Sequence, residues 1–422
     1  MHVGVYGSGY LATVVSACLA DFGVPVTCVD EDAIRIASMA QGTVPYFEKN
    51  LQDMVRRNLR AGRLVFSTEL QSLIRQKQII YLVPDGHEYL EDVAVRIARL
   101  CVEPMVFVIS TPVPVGTAAR LEARMKETSQ HVTVVSHPLF LTDGCAVEDF
   151  NWPDRILLGT VKGDPVSLLK TLYRPLVMRG VPVIVTNHAT AELAREAGTA
   201  FVATKISFIN ELARLCEHVD ADAMDLALAL GLDKKVGPRC LQPGAGFGGP
   251  FVEADMDALA KLAYSKGVNL KILSAAREVN FSLCDLILEK ISGALHTISG
   301  KHVGILGLAF KPNTNSVAAS ASILLAKKLV QAGARVRAFD PQAMTGAKLE
   351  LNGSVNYCES AYSAAEGCDA LVFGTGWPEF RSLDFARIKR AVRQPVIVDT
   401  KNMLDAVRLR SLGYNYVGMG RA

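Results

Sequence analysis

Apolar residues are arranged in two ways along this chain. Through the first 190 residues they come in short, nearly unbroken runs, most of them bounded on at least one side by glycine, proline or an acid: residues 2–6, 24–29, 79–83, 105–109, 132–135, 156–159 and 183–185. Runs of that length, rich in valine and isoleucine and without polar alternation, predict strands covered on both faces, as in parallel sheets. From Thr190 the period lengthens. Leu193, Ala197, Ala200, Phe201, Thr204, Phe208, Leu212 and Leu215 recur at three and four residues, which predicts one long helix with Thr190 as N-cap and Glu192 in its first turn. Further helical segments run to about Ser292. The strand pattern returns at Lys301: KHVGILGLAF echoes the opening HVGVYGSGY, ARVRAFDP echoes VPVTCVDED, and later strands are expected at 370–374 and 396–399. An internal repeat of this kind predicts an α/β fold with two similar lobes and a central helical domain, divided at 1–188, 189–297 and 298–422.

The first lobe carries a chemical signature on this frame. Gly7, Gly9 and Ala12 fit G-x-G-x-x-A, with Tyr10 and Leu11 between them, and an apolar helix follows. The next strand ends on Asp30. This is the dinucleotide fingerprint of a Rossmann-like lobe: the glycines permit a tight turn and a close pyrophosphate approach, the helix N-terminus faces the phosphates, and the acid accepts from the ribose hydroxyls. An acid there selects NAD over NADP. The alternative is a strand-turn-helix unit that no longer holds a nucleotide. In the second lobe Asp340 stands where Asp30 stood, but Gly307 is the single glycine of its turn. That lobe is therefore expected to hold one nucleotide of a second ligand and no dinucleotide.

A chain of 422 residues exceeds one ordinary core, in keeping with two or three domains. Its formal charge of +3, from 45 basic and 42 acidic residues, argues against a nucleic-acid partner. The apolar runs are too short for a membrane span, and the apolar N-terminus passes straight into the glycine motif, as a first strand does. Nine cysteines without a CxxC pair, mostly in apolar stretches (Cys18, Cys28, Cys101, Cys216, Cys284), read as reduced thiols of a cytoplasmic protein. No histidine spacing suggests a metal site. The cluster Arg56, Arg57, Arg60 and Arg63 reads as a solvated helix face.

A second glycine-rich stretch, PGAGFGGPFVEAD at 243–255, precedes a helix-like run at 254–263. Together with VPVGT (113–117), DFNWPDRILLG (149–159), ATKISFINELA (203–213), GLAFKPNT (307–314), FDP (339–341), WPEF (377–380) and the final Gly420 and Arg421, it gives a chain-long resemblance to the UDP-glucose dehydrogenase family of nucleotide-sugar dehydrogenases. The resemblance implies NAD in the N-terminal lobe, a UDP-sugar in the C-terminal lobe and a homodimer built on the helical middle. It also implies two successive oxidations of the sugar's C6 alcohol to a uronic acid. That chemistry runs through a cysteine thiolate, a water-activating acid/base group, and a lysine and an asparagine that stabilise the oxyanion.

Carried onto this sequence, the resemblance puts Phe251 at the nucleophile and Ala254 at a lysine, and keeps Asp255 as the water-activating candidate or as an ordinary first-turn acid. The helix lysine becomes Arg195 and the asparagine Thr199; the four-residue spacing still sets both on one helix face. Arginine stabilises an anion but does not shuttle protons. Lys205, ten residues on, points roughly 80° away from Arg195 and reads as a solvated or salt-bridged lysine. Around the reacting carbon, Pro112 replaces a threonine, Leu139 and Asp143 replace glutamates, and His137 replaces an asparagine. His137 and Asp143 form either a new acid/base pair or a set of local hydrogen bonds. Cys145 and Cys240 are candidates for a relocated nucleophile, with a buried thiol as the alternative. In the substrate lobe Phe247, Gly248, Gly249 and Lys311 persist, Ala318 and Ala319 replace an arginine and a glutamate, and Lys401 replaces an arginine. The loop after the fourth strand is shortened to LVPDG (82–86). Three functions follow: a homologue that binds NAD and a nucleotide ligand in a regulatory role, an oxidoreductase performing one two-electron step on another sugar nucleotide, or an ordinary UDP-glucose 6-dehydrogenase.

Overall fold

The computed structural model describes residues 1–160 and 163–421. The chain packs into two units, Met1–Ala197 and Gly198–Ala422. In the first, eight strands form one sheet: β1 (Val3–Tyr6), β2 (Val26–Val29), β3 (Leu64–Ser67), β4 (Ile79–Leu82), β5 (Met105–Ile109), β6 (Val132–Ser136), β7 (Ile156–Gly159) and β8 (Val183–Thr186), in the order β3-β2-β1-β4-β5-β6-β7-β8. All neighbours are parallel except β6 and β7, which meet at Ser136 and Gly159. The second unit holds β9 (His302–Leu306), β10 (Arg335–Phe339), β11 (Asn356–Tyr357), β12 (Ala370–Phe373), β13 (Val396–Asp399) and β14 (Asn415–Gly418), in the order β11-β10-β9-β12-β13-β14. That order repeats the first six positions of the larger sheet, so the sequence echo is a structural repeat.

Alternation along the central strands explains the unbroken apolar runs. Ile79 and Tyr81 of β4 enter one core while Ile80 and Leu82 enter another on the opposite face. Val106 and Val108 of β5 divide from Phe107 and Ile109 in the same way. The second unit follows suit: Val303 and Ile305 face one core, Leu306 the other. Helices cover both faces, so every position of β1, β4 and β5 is buried.

Two local expectations need correction. The long helix runs from His188 to Cys216, and its cap is Asn187, whose Oδ1 accepts from the Thr190 amide at 2.8 Å. Thr190 is thus already inside the first turn. Glu192 caps a different helix: its carboxylate accepts from the amides of Gly116 (2.6 Å) and Ala118 (2.8 Å), at the start of the Thr117–Thr128 helix, which has no cap of its own. The arginine cluster is the solvated face expected of it, with Arg56, Arg57 and Arg60 exposed on Leu51–Arg60 and Arg63 just beyond. Arg57 pairs with Asp21 at 2.8 Å, and Arg63 donates to the carbonyl of Ala20 at 3.1 Å, tying this segment to the end of the helix Tyr10–Asp21.

Candidate functional site

In each unit the chain reverses direction across the sheet between the first strand and its neighbour from the later half. The carboxyl ends of β1 and β4 mark this point in the first unit, and those of β9 and β12 in the second. Open α/β sheets take ligands at such crevices.

The first crevice is formed by the fingerprint. Gly7 has φ +112°, and a Cβ there would stand 2.1 Å from the Val83 carbonyl oxygen. Gly9 precedes the helix Tyr10–Asp21 without offering it a side-chain cap, so the helix start is a place that favours an anion. Asp30 closes β2; its Oδ2 accepts from Ser8 Oγ at 2.8 Å and its Oδ1 from the Asp32 amide at 2.9 Å. These residues fit a dinucleotide: two glycines at the turn, an uncapped helix start and an acid at the ribose end. Ala12 is wholly buried, and Leu11 packs at the edge of the core. Tyr10 packs edge-on against Tyr46 with ring centres 6.0 Å apart, donates from its hydroxyl to Glu48 at 2.5 Å and accepts from the Gly144 amide at 3.2 Å. Above the turn stands a group that no local motif reveals. Arg35 Nη1 lies 2.6 Å from Asp85 Oδ2 and 2.9 Å from the Tyr46 hydroxyl.

The equivalent place in the second unit is sealed from within. Asp340 turns inward and is 1% exposed. Its Oδ2 accepts from the amides of Leu308 (2.7 Å) and Ala309 (2.9 Å) and from Trp377 Nε1 (3.1 Å), while its Oδ1 accepts from Gln342 and Ala343 (both 2.8 Å). A protein carboxylate thus occupies the anion place of that turn. Gly307, at φ +95°, presses against Thr375.

The second glycine turn gathers the residues expected to meet a nucleotide sugar. Asn280 clamps it: Oδ1 accepts from the Phe247 amide at 2.8 Å, and Nδ2 donates to the Phe247 carbonyl at 3.2 Å. Asn210 holds the Gly244 amide at 2.8 Å. No periodicity singles out either asparagine in the sequence. A Cβ on Gly248 would meet the Ala319 carbonyl oxygen at 2.2 Å, and one on Gly249 the ring of Phe310 at 2.6 Å. Lys311 carries its ammonium 5.8 Å from the centre of that ring. The Lys401 segment closes the other side, with Gln242 Nε2 donating to the Lys401 carbonyl at 2.7 Å. Burial lowers the Lys401 ammonium to about 8, against the opposing pull of Asp399. Beside the turn lies a cavity of about 310 Å³ whose lining includes Phe247, Asn280, Phe281, Val317, Ala318 and Ala319.

Phe251 takes the N-cap position of the helix Val252–Ser265, which therefore starts without a side-chain cap. Within that helix Asp255 is buried and accepts from Thr199 Oγ1 at 2.9 Å. Arg195 belongs to the part of the long helix that packs with the first unit. Lys205 donates to the carbonyls of Val236 (3.0 Å) and Gly237 (3.3 Å). His137 lies wholly within the first unit's core: one ring nitrogen meets the Leu157 carbonyl at 2.9 Å, the other the Tyr173 hydroxyl at 3.0 Å. Both nitrogens are engaged, which favours the local hydrogen-bond alternative over a pair with Asp143. Cys145 is half-buried and Cys240 exposed; the other seven thiols are buried. Burial pushes Cys28 and Cys368 up to about 12, so both stay protonated at neutral pH. Among the described residues no cluster of histidine, cysteine or acids could hold a metal, and no helix is long and apolar enough to cross a membrane.

Two sheets of one strand order, the first with a double-glycine turn and a ribose acid, define a dinucleotide-dependent dehydrogenase architecture with a second nucleotide lobe. Family comparison agrees. Residues 1–177 match the NAD-binding domain of the UDP-glucose/GDP-mannose dehydrogenase family, residues 189–282 its central domain, and residues 304–406 its UDP-binding domain. A UDP-glucose 6-dehydrogenase of Rhizobium meliloti is 36% identical, with 100% of each chain covered. Another, from Bacillus subtilis, is 34% identical over 99% of this chain and 93% of its own. A UDP-glucose dehydrogenase structure from Pyrobaculum islandicum superposes with a TM-score of 0.89 at 29% identity, covering 100% of this chain and 98% of that one. The chain belongs to the UDP-glucose/GDP-mannose dehydrogenase family, with NAD as its cofactor and a nucleotide sugar as its ligand class.

Proposed function

We propose that this chain is a divergent nucleotide-sugar dehydrogenase homologue that binds NAD and a nucleotide sugar without performing the cysteine-dependent four-electron oxidation. Phe251 carries the proposal. It follows the glycine turn at the position the family resemblance gives to the nucleophile, and its side chain has no atom that can add to an aldehyde. The seven buried thiols supply no substitute, which leaves the half-buried Cys145 and the exposed Cys240 as the cysteines to test beside Phe251. NAD, when bound, supplies the hydride acceptor. Gly7, Gly9 and the helix start receive its phosphates, and Asp30 its ribose. Phe247, Gly248, Gly249, Lys311 and Lys401 surround the nucleotide sugar. The layout is an NAD-binding part at 1–188, a helical part at 189–297 and a nucleotide-sugar part at 298–422, in a cytoplasmic homodimer. The half-exposed Phe201, Phe208 and Leu215 support the dimer: they recur every seven residues on the long helix, as a helix-pairing seam does.

One observation favours a second reading. The Thr199–Asp255 hydrogen bond keeps a carboxylate oriented on the turn helix. Asp255 would then take the hydroxyl proton of a different sugar nucleotide in a single two-electron oxidation, with Arg195 and Thr199 as the other polar groups.

NADH production from UDP-glucose and related nucleotide sugars, run beside calorimetric binding of NAD and UDP, separates the two. NAD and UDP binding without turnover is expected; turnover that stops at a carbonyl product would establish the second reading. Formation of a uronic acid at rates typical of the family would overturn both. Phe251→Cys alone is expected to restore no uronic acid synthesis, because the altered groups act as one unit. UDP affinity should fall as pH rises through about 8, where Lys401 loses its charge. A flat profile there would remove Lys401 from the phosphate site.

A further inference from the structure

The Arg35–Asp85 pair stands at the one crevice that the fingerprint opens. Asp85 lies in the shortened loop after β4, the strand across the crevice from β1. Its Oδ1 fills the space over Gly9: a Cβ built on that glycine would lie 1.4 Å from it. The carboxylate therefore rests where the missing side chain of Gly9 leaves room, beside the uncapped start of the helix Tyr10–Asp21. That place attracts anions. Arg35 holds Asp85 there through Oδ2 at 2.6 Å and is itself anchored by Asp32 at 3.2 Å and by the Tyr46 hydroxyl at 2.9 Å. Tyr46 in turn donates to the Ser8 carbonyl at 3.3 Å, so the whole group is fastened to the glycine turn.

We propose that Asp85 is an internal competitor for the pyrophosphate of NAD, a carboxylate that occupies the phosphate place of the fingerprint turn and sets the affinity of the cofactor site. The inference rests on the reading that Gly7, Gly9 and Asp30 hold NAD. A bound diphosphate and the Asp85 carboxylate cannot share the space above Gly9, and both are negative. Cofactor entry requires Asp85 to swing away and Arg35 to exchange one anion for another. The release is feasible, because the Asp85 side chain is 53% exposed and the ion pair is open to water. The second lobe shows the finished form of the same arrangement, with Asp340 buried in the anion place and held by five donors. Asp85 is held by one arginine and remains displaceable.

The test is calorimetric binding of NAD, ADP-ribose and adenosine to the wild-type chain, Asp85→Ala, Asp85→Asn and Asp30→Ala, with thermal melts to verify folding. Removing the competing charge should tighten NAD and ADP-ribose by about tenfold in both Asp85 variants and leave adenosine unchanged. Asp85→Asn keeps the side chain's size and removes its charge, which separates electrostatic competition from a gain in space. If Asp85 instead positions Arg35 for the phosphates, Asp85→Ala will weaken NAD binding, and the proposal falls. Equal tightening of adenosine would also overturn it, because the effect would not then run through the phosphates. Weaker NAD binding in Asp30→Ala with no gain in the Asp85 variants overturns the competitor and leaves the dinucleotide site standing. Insensitivity to all three substitutions puts NAD elsewhere and overturns both.

Discussion

Asp340→Ala is expected to destabilise the second unit by roughly 3–5 kcal/mol, since each buried donor left unpaired costs about 1–3 kcal/mol and the turn can relax around some of them. The side chain satisfies four backbone amides and the Trp377 indole, all at the carboxyl end of the sheet. Alanine would leave these donors in a space that is 1% exposed. Asp340→Asn should recover only part of the loss, because its amide group turns one acceptor into a donor facing other donors. Urea unfolding followed by tryptophan emission measures the effect. Trp377 is buried in the network and Trp152 is largely exposed, so the buried indole dominates the signal change. A loss below about 1 kcal/mol would show that the freed amides find other partners and that Asp340 is not the keystone of that turn.

The second large effect is a dependence on pH from a single histidine. Burial lowers the His137 imidazole to about 4, from 6.5 when unburied. The folded chain keeps it neutral, while the unfolded chain takes up a proton below 6.5. Stability from this group is therefore complete above pH 6.5, declines as pH falls from 6.5 to 4, and is fully lost below 4. The difference amounts to about 3 kcal/mol. Carboxylates titrate in the same window, so the measurement is the difference between wild type and His137→Asn in chemical unfolding at pH 7, 5.5 and 4. The wild-type curve should fall more steeply, by close to one proton. Parallel curves would mean that the folded protein accommodates imidazolium in the Leu157–His137–Tyr173–Tyr81 chain.

Much of the architecture was legible because it depends on local patterning. Strands buried on both faces leave unbroken apolar runs, and the echo between residues 2–30 and 302–340 reappears as one strand order used twice. The strands that the pattern missed, β3, β11 and β14, are short pieces at sheet edges: β3 holds an apolar run of only three residues, and β11 and β14 each open on an exposed asparagine, Asn356 and Asn415. The sites were less legible because they are set by what crosses between elements. Asp30 and Asp340 occupy equivalent places in sequence, yet one faces a crevice and the other is enclosed. Trp377 and the amides of Leu308 and Ala309, remote from Asp340 in the chain, make that difference. Asp85 looked like part of a shortened loop, and Glu192 like a first-turn acid of its own helix. Both act on a neighbouring element that no local spacing reveals.

The turn at 243–249 has a consequence for how chains of this kind are sorted. Its glycines yield room to the protein itself: to the Thr400 carbonyl at Gly244, the Asn280 side chain at Gly246, the Ala319 carbonyl at Gly248 and the Phe310 ring at Gly249. A chain that stopped turning over substrate would still need each of them in order to fold. GFGG is therefore a marker of architecture, and a signature meant to separate working enzymes from silent relatives should be read at the residues whose loss leaves the packing intact.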